Sequence, residues 1–292
     1  MTQMDGAIFD GYNPFGLVNY PQINEIGYWN VSTEFEDPRA LLYLQVRGMI
    51  FQDGQRLKQV STYSELFVNQ GGTFWVEPDG LTIHITTFGG TNPNNSQWKL
   101  TAREQTFAPT SYYLNFIRVK GFIMEDAAGV FPFPQRGALS TMHGHHWIIE
   151  DNTFRWMNSV GVDCGPQGGF WVQGGGIYGY HLIRRNKFED IGICGLAGPG
   201  SQSTLVEDNT FERICWHDVE MLAECAAMKL HSAQNTLIRR NIVRDVPHGC
   251  GLYIDSRRQN ARITRMQSLI APRITQPMAL AVSISKRRRV SV

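Results

Sequence analysis

Four stretches decide the fold: Trp147-Ile-Ile-Glu-Asp-Asn-Thr-Phe154, His181-Leu-Ile-Arg-Arg-Asn-Lys-Phe188, Thr204-Leu-Val-Glu-Asp-Asn-Thr-Phe211 and Thr236-Leu-Ile-Arg-Arg-Asn-Ile-Val243. Each sets two apolar residues and two charges ahead of an Asn, at positions 152, 186, 209 and 241. The Asn residues are 34, 23 and 32 apart. A unit of roughly two dozen residues, lengthened by insertions in some turns, is a solenoid period. It is too short for a propeller blade and lacks the Leu-rich pattern of a horseshoe. Short β-branched strands between Gly and Asn turns predict an all-β chain, a right-handed parallel β-helix whose recurring Asn can stack as an internal ladder.

A second strand recurs in each unit. Ala227-Met-Lys-Leu-His231 matches Gly251-Leu-Tyr-Ile-Asp255, and Gly161-Val-Asp-Cys-Gly165 and Gly195-Leu-Ala-Gly-Pro199 are looser copies. Alternation sends Val162, Cys164, Met228, Leu230, Leu252 and Ile254 inward. It sends Asp163, Lys229, His231, Tyr253 and Asp255 to the opposite face, where a polar cluster has no use in a core and fits a substrate groove.

Outward from the repeats the pattern changes. Leu42-Tyr-Leu-Gln-Val46, Met49-Ile-Phe51, Thr73-Phe-Trp-Val76 and Leu81-Thr-Ile-His-Ile85 read as strands around turns at Gln52-Asp-Gly54 and Glu77-Pro-Asp-Gly80. The expected organisation is an irregular segment over 1–40, an antiparallel β insertion over 41–108, parallel coils over 109–264 and a basic tail over 265–292.

Composition bounds the classes. Apolar residues make up 42% and charged residues 18% of 292, which excludes a disordered chain. No run approaches the roughly 18 apolar residues of a membrane span. The start, Met1-Thr-Gln-Met-Asp-Gly-Ala-Ile-Phe-Asp, has neither the basic nor the apolar region of a signal peptide. The net charge of +1 conceals a split: all 26 acidic residues lie at or before Asp255 with 18 Lys and Arg, while the last 37 residues carry nine Lys and Arg and no acid. Lys286-Arg-Arg-Arg289 is too short and isolated to predict a nucleic-acid partner. The five cysteines, Cys164, Cys194, Cys215, Cys225 and Cys250, include no CxxC pair, and reduced buried thiols are the expectation.

Coil spacing turns this pattern into chemistry. Neighbouring strands lie about 4.8 Å apart, so carboxylates at matching places on adjacent coils approach the ~5–5.5 Å of a retaining glycosidase. Asp255 is one such carboxylate. Glu224, just before the Ala227–His231 strand, is the other candidate on the preceding coil, and no acid follows Asp255. Lys229, His231, Asp163 and Tyr253 would shape a sugar subsite. In His143-Gly-His145-His146 the adjacent His145 and His146 should point to opposite faces of a strand, so no metal site is expected; His143 is assigned to the groove edge.

The residues resemble the right-handed parallel β-helix glycoside hydrolases, families 120 (β-xylosidase-like) and 141 (fucosidase- and xylanase-like). The resemblance rests on Asp53-Gly-Gln-Arg-Leu-Lys-Gln-Val60, Gly72-Thr-Phe-Trp-Val76, Gln135-Arg-Gly-Ala-Leu139, Trp147-Ile-Ile-Glu-Asp-Asn152, Glu224-Cys-Ala-Ala-Met-Lys-Leu-His231 and Gly251-Leu-Tyr-Ile-Asp255. It implies a nucleophile at Asp255, a carbohydrate partner, hydrolysis of a plant-type polysaccharide or oligosaccharide with retention, and no cofactor. The family's acid/base Glu stands about one coil later, where this chain has none. Met266 replaces the next Asn, and the expectation is a fragment or a shifted reading frame near residue 265, nearly inactive as written. Two other classes fit the same coils: a polysaccharide lyase, with Lys229 as base and Ca²⁺ as the cofactor it would bring, and a non-catalytic carbohydrate-binding module.

Overall fold

The computed structural model describes residues 48–68, 70–77, 81–129, 137–165, 178–217, 225–231, 233–255, 260–269 and 280–281. From Gln105 onward the described chain is a right-handed parallel β-helix of three sheets, each of six strands. Sheet 1 stacks Arg118–Lys120, Ile148–Glu150, Leu182–Arg184, Leu205–Glu207, Leu237–Arg239 and Arg262–Thr264, all parallel. Sheet 2 stacks Ile123–Ala127, Thr153–Met157, Lys187–Ile191, Thr210–Ile214, Ile242–Arg244 and Gln267–Leu269. Sheet 3 stacks Gly137–Ser140, Val160–Asp163, Cys194–Ala197, Ala226–His231 and Cys250–Asp255, then adds Leu280–Ala281 running the other way. The coils are numbered 1 to 6 below in this order.

The chain turns from sheet 1 to sheet 2 at one left-handed residue, Asp151, Arg185, Asp208, Arg240 or Arg265, with φ between 52° and 57°. The Asn that follows secures each turn. Asn152 Nδ2 donates to Asn186 Oδ1 (3.1 Å), Asn186 to Asn209 (3.0 Å) and Asn209 to Asn241 (3.0 Å). Each of these Oδ1 atoms also accepts the backbone N–H of the Asn one coil earlier. The expected ladder is therefore present and buried. It ends on Met266, whose Sδ accepts from Asn241 Nδ2 at 3.6 Å. A thioether is a weak acceptor. Met266→Asn should therefore lengthen the ladder and raise the melting temperature, by about 1 kcal/mol of stability; an unchanged or lowered melting point would show that coil 6 does not hold this register. Strand pairing itself continues past Met266, through Gln267–Leu269.

Below the Asn ladder, Phe154, Phe188 and Phe211 stack with centroids 5.0 and 4.5 Å apart. On the outer face of sheet 1 the two charges of each repeat alternate in sign from coil to coil. Glu150, fully buried, accepts from Arg184, Arg118 and Arg185, and these guanidiniums hold its carboxyl down to about 2 against the effect of burial. Glu207 is met in the same way by Arg239 and Arg240, and Asp208 by Arg240. Since Glu150 titrates lower folded than unfolded, its contribution is present above the ordinary Glu range and is lost as pH falls toward 2.

Residues 48–104 belong to a separate unit. Ile50–Gln52 pairs antiparallel with Gln55–Arg56 and Trp98–Leu100, and Thr73–Val76 with Ile83–Thr86. The turn at Asp53 and Gly54 has φ of 51° and 82°, as a tight hairpin requires. One pairing, Lys58–Gln59 with Thr73–Val76, is parallel. Ile50, Leu57, Phe74 and Val76 form its core. The expected strand at 42–46 lies outside the described residues.

The expectation for the cysteines is overturned in part: Cys215 and Cys225 form a disulfide, so reduced thiols describe only Cys164, Cys194 and Cys250. The coil brings the two together because strand Thr210–Ile214 ends where Ala226–His231 begins, a closeness that a spacing of ten residues does not announce. No described helix is long and apolar enough to cross a membrane.

Candidate functional site

Parallel stacking places equivalent residues of sheet 3 above one another on the same face. Ser140, Asp163, Ala197, Lys229 and Tyr253 form one such row. His231 and Asp255 are direct partners two residues further along their strands. On the other face, Val162, Cys164, Met228, Leu230, Leu252 and Ile254 are all buried, as alternation requires. The seven residues of the sequence reading thus divide. Asp163, Lys229, Tyr253, His231 and Asp255 share sheet 3; His143 lies in the turn after Gly137–Ser140; Glu224 lies outside the described residues.

The row differs from an open groove in its burial. Asp163 is only 1% exposed and Lys229 only 2%. Lys229 places Nζ 4.9 Å from the centre of the Tyr253 ring, a cation over an aromatic face. Asp163 Oδ1 accepts the Gly165 N–H at 2.9 Å, while Oδ2 is buried with no hydrogen-bond partner among the described residues. Burial pushes this carboxyl up to about 8, the Gly165 hydrogen bond opposing. At neutral pH Asp163 is therefore protonated, a donor rather than a charge. The next residue, Cys164, is held as a thiol by burial.

Spacing limits which groups can act together. Asp163 and Tyr253 are three strands apart, about 14 Å, and Asp255 is further still. That exceeds the ~6.5–9.5 Å of an inverting carboxylate pair, so Asp163 cannot serve the same bond as Asp255. His231 and Asp255, on adjacent strands, are about 4.8 Å apart along the ladder.

His143 is buried and ringed edge-on by Tyr112 (5.1 Å), Tyr113 (5.3 Å) and Tyr178 (6.1 Å). His145 and His146 do not point to opposite faces: their Nδ1 atoms lie 2.7 Å apart, because His146 is left-handed at φ 58° and breaks the alternation. Among the described residues no group of three His, Cys, Asp or Glu side chains converges as a metal site would need. Sequence reading passed over the aromatic residues at 112, 113, 116, 178 and 180 that gather at this corner. Extending each repeat backward by one residue would have aligned His146 and Tyr180, with Phe116 at the same place one coil earlier.

The parallel β-helix has a solved counterpart. XylC, determined in complex with xylose, superimposes with a TM-score of 0.65 at 21% identity, over 76% of this chain and 43% of that one. This chain thus spans less than half the length of the protein it matches, and at this identity the likeness is one of fold. No protein-family model and no curated sequence matches the chain.

Proposed function

We propose that sheet 3 is the sugar-cleaving face of a glycoside hydrolase-like β-helix acting on xylose-type or related plant polysaccharide or oligosaccharide, with retention. The observation that carries this reading is the stacking of Lys229 on Tyr253 and of His231 on Asp255 in one parallel ladder. It is supported by the resemblance of Glu224–His231 and Gly251–Asp255 to families 120 and 141, and by the shared fold of a protein solved with xylose.

In this reading the Asp255 carboxylate attacks the anomeric carbon as the glycosidic C–O bond breaks. Glu224 is the acid that the sequence offers on the preceding coil to protonate the leaving oxygen. Water then releases the glycosyl–enzyme ester. Lys229, Tyr253 and His231 form the sugar subsite; Asp163, about 14 Å from Tyr253 along the ladder, lies outside that subsite, and His143 stands at the groove edge.

Calorimetric titration with xylose, together with a nitrophenyl glycoside panel, tests the proposal. The wild-type chain should bind the sugar, Lys229→Met should weaken binding about tenfold, and Asp255→Asn should keep binding while losing any turnover that Glu224 supports as the acid. Full turnover by Asp255→Asn would remove this residue from the mechanism. A rise in ultraviolet absorbance from an unsaturated product would make the chain a lyase with Lys229 as base, and tight binding without product would make it a binding module.

A further inference from the structure

Phe116, His146 and Tyr180 hold the same place on coils 1 to 3, two residues ahead of Arg118, Ile148 and Leu182. All three are left-handed, with φ of 60°, 58° and 53°. The same place on coils 4 to 6 holds Ser203, Asn235 and Asn260, at φ of 49°, 51° and 55°. Asn adopts this conformation readily and Phe and Tyr do not, so the turn by itself does not account for the rings on coils 1 to 3.

The rings face solvent. Phe116 is 73% exposed and Tyr180 42%. His146 and Tyr180 lie parallel, 4.9 Å apart at an angle of 1°, and Phe116 leans on His146 at 5.1 Å. His146 therefore covers one face of Tyr180. On the other side the next coil supplies Ser203, whose short side chain puts no ring there. Beyond it, Asn260 Nδ2 donates to Asn235 Oδ1 at 3.1 Å, and both side chains are exposed. An aromatic ledge thus gives way to a short polar ladder running along the solenoid axis. The ladder ends at Asn260, a few residues after the strand that ends in Asp255.

That sequence of surfaces matches one chemistry. A pyranose has an apolar face of axial C–H bonds and a rim of hydroxyls; a ring takes the first, and amide and hydroxyl groups take the second. From Tyr180 to Asn260 the row spans three coil spacings, about 14 Å, more than a single sugar covers. The geometry points to an extended polysaccharide chain lying along the axis, one sugar stacked on Tyr180 and its neighbours bonded to Ser203, Asn235 and Asn260, leading toward the coil of Asp255. This inference rests on the sugar-cleaving reading of sheet 3 and names its substrate class: a polymer rather than a small glycoside.

Affinity electrophoresis in β-1,4-xylan, with calorimetric titration of xylohexaose and xylose, tests it on the full chain. Tyr180→Ala should weaken xylan and xylohexaose binding about tenfold, and Tyr180→Phe should change it less than about twofold. Asn235→Ala, exposed and without consequence for the core, should weaken both about threefold. Xylose binding should not move in any variant. Melting curves check that each variant is folded; if Tyr180→Ala is not, Tyr180→Phe and Asn235→Ala carry the decision. Wild-type affinity for xylan from a folded Tyr180→Ala and from Asn235→Ala would overturn the inference. So would a wild-type chain that binds xylohexaose no better than xylose, which leaves the sheet 3 reading standing; binding of neither sugar would remove both.

Discussion

Asn209→Ala should destabilise the coils by about 3–4 kcal/mol. Asn209 Oδ1 accepts both the backbone N–H and the Nδ2 of Asn186, while its own Nδ2 donates to the Ile183 carbonyl and to Asn241 Oδ1. Truncation leaves the Asn186 N–H buried without an acceptor and takes one partner from three other buried groups. An orphaned buried group costs about 1–3 kcal/mol, more than the net worth of the bond it made. Asn209→Asp separates geometry from hydrogen-bond polarity: it keeps the accepting oxygen but turns the donor toward Ile183 and Asn241 into an acceptor, and it should be at least as damaging. Urea unfolding followed by circular dichroism measures both. A loss below about 1 kcal/mol for either variant would mean that the ladder rides on the sheets without holding them.

The second large effect concerns pH. The Asp163 carboxyl titrates near 3.8 when exposed and is pushed up to about 8 by burial in the folded chain. Below the lower value both states are protonated and the group does not oppose folding. As pH rises from about 4 to 8 the unfolded chain releases its proton while the folded chain keeps it, so stability falls through this window by up to about 5 kcal/mol and levels off above it. Asp163→Asn keeps the acceptor for the Gly165 N–H and cannot ionise. Between pH 5 and 8 the melting temperature of the wild type should drop steeply relative to the variant, which should be the more stable at pH 8. His181, pushed down from 6.5 to about 3 by burial, adds stability as pH rises from about 3 to 6.5, and Glu150 does so below about 4.5; both act alike in the wild type and the variant and cancel in the comparison. Parallel curves for the two proteins would show that Asp163 is ionised or solvated in the folded state.

The repeats exposed the solenoid because an Asn ladder needs the same residue at the same point of every coil, so a packing rule is written directly in the sequence. Strand alternation likewise placed Met228, Leu230, Leu252 and Ile254 correctly in the interior. What alternation cannot tell is what lies over the opposite face: Asp163 and Lys229 read as groove residues and are buried. His145 and His146 were misjudged for a related reason, since a left-handed residue shifts the side-chain sequence by one and carries no fixed residue type. Phe116 and Tyr180 occupy a position that favours Asn, so composition gave no hint of their conformation. The proposed role of Asp255 rests on the resemblance to families 120 and 141, and that of Glu224 on its place just before the Ala227–His231 strand, because a carboxylate at a strand end looks alike whether it attacks a sugar or caps a turn. The Cys215–Cys225 bond was hidden by an odd cysteine count.

Leu280–Ala281 meets Tyr253–Ile254 antiparallel, whereas every other pairing in the three sheets is parallel. A solenoid grows by laying each coil in the direction of the last, and the same rule lets one molecule template another end to end. Among the described residues sheet 3 therefore has as its outermost strand one of reversed direction, whose outer edge presents its hydrogen-bonding groups in the antiparallel order, unsuited to templating a further parallel coil.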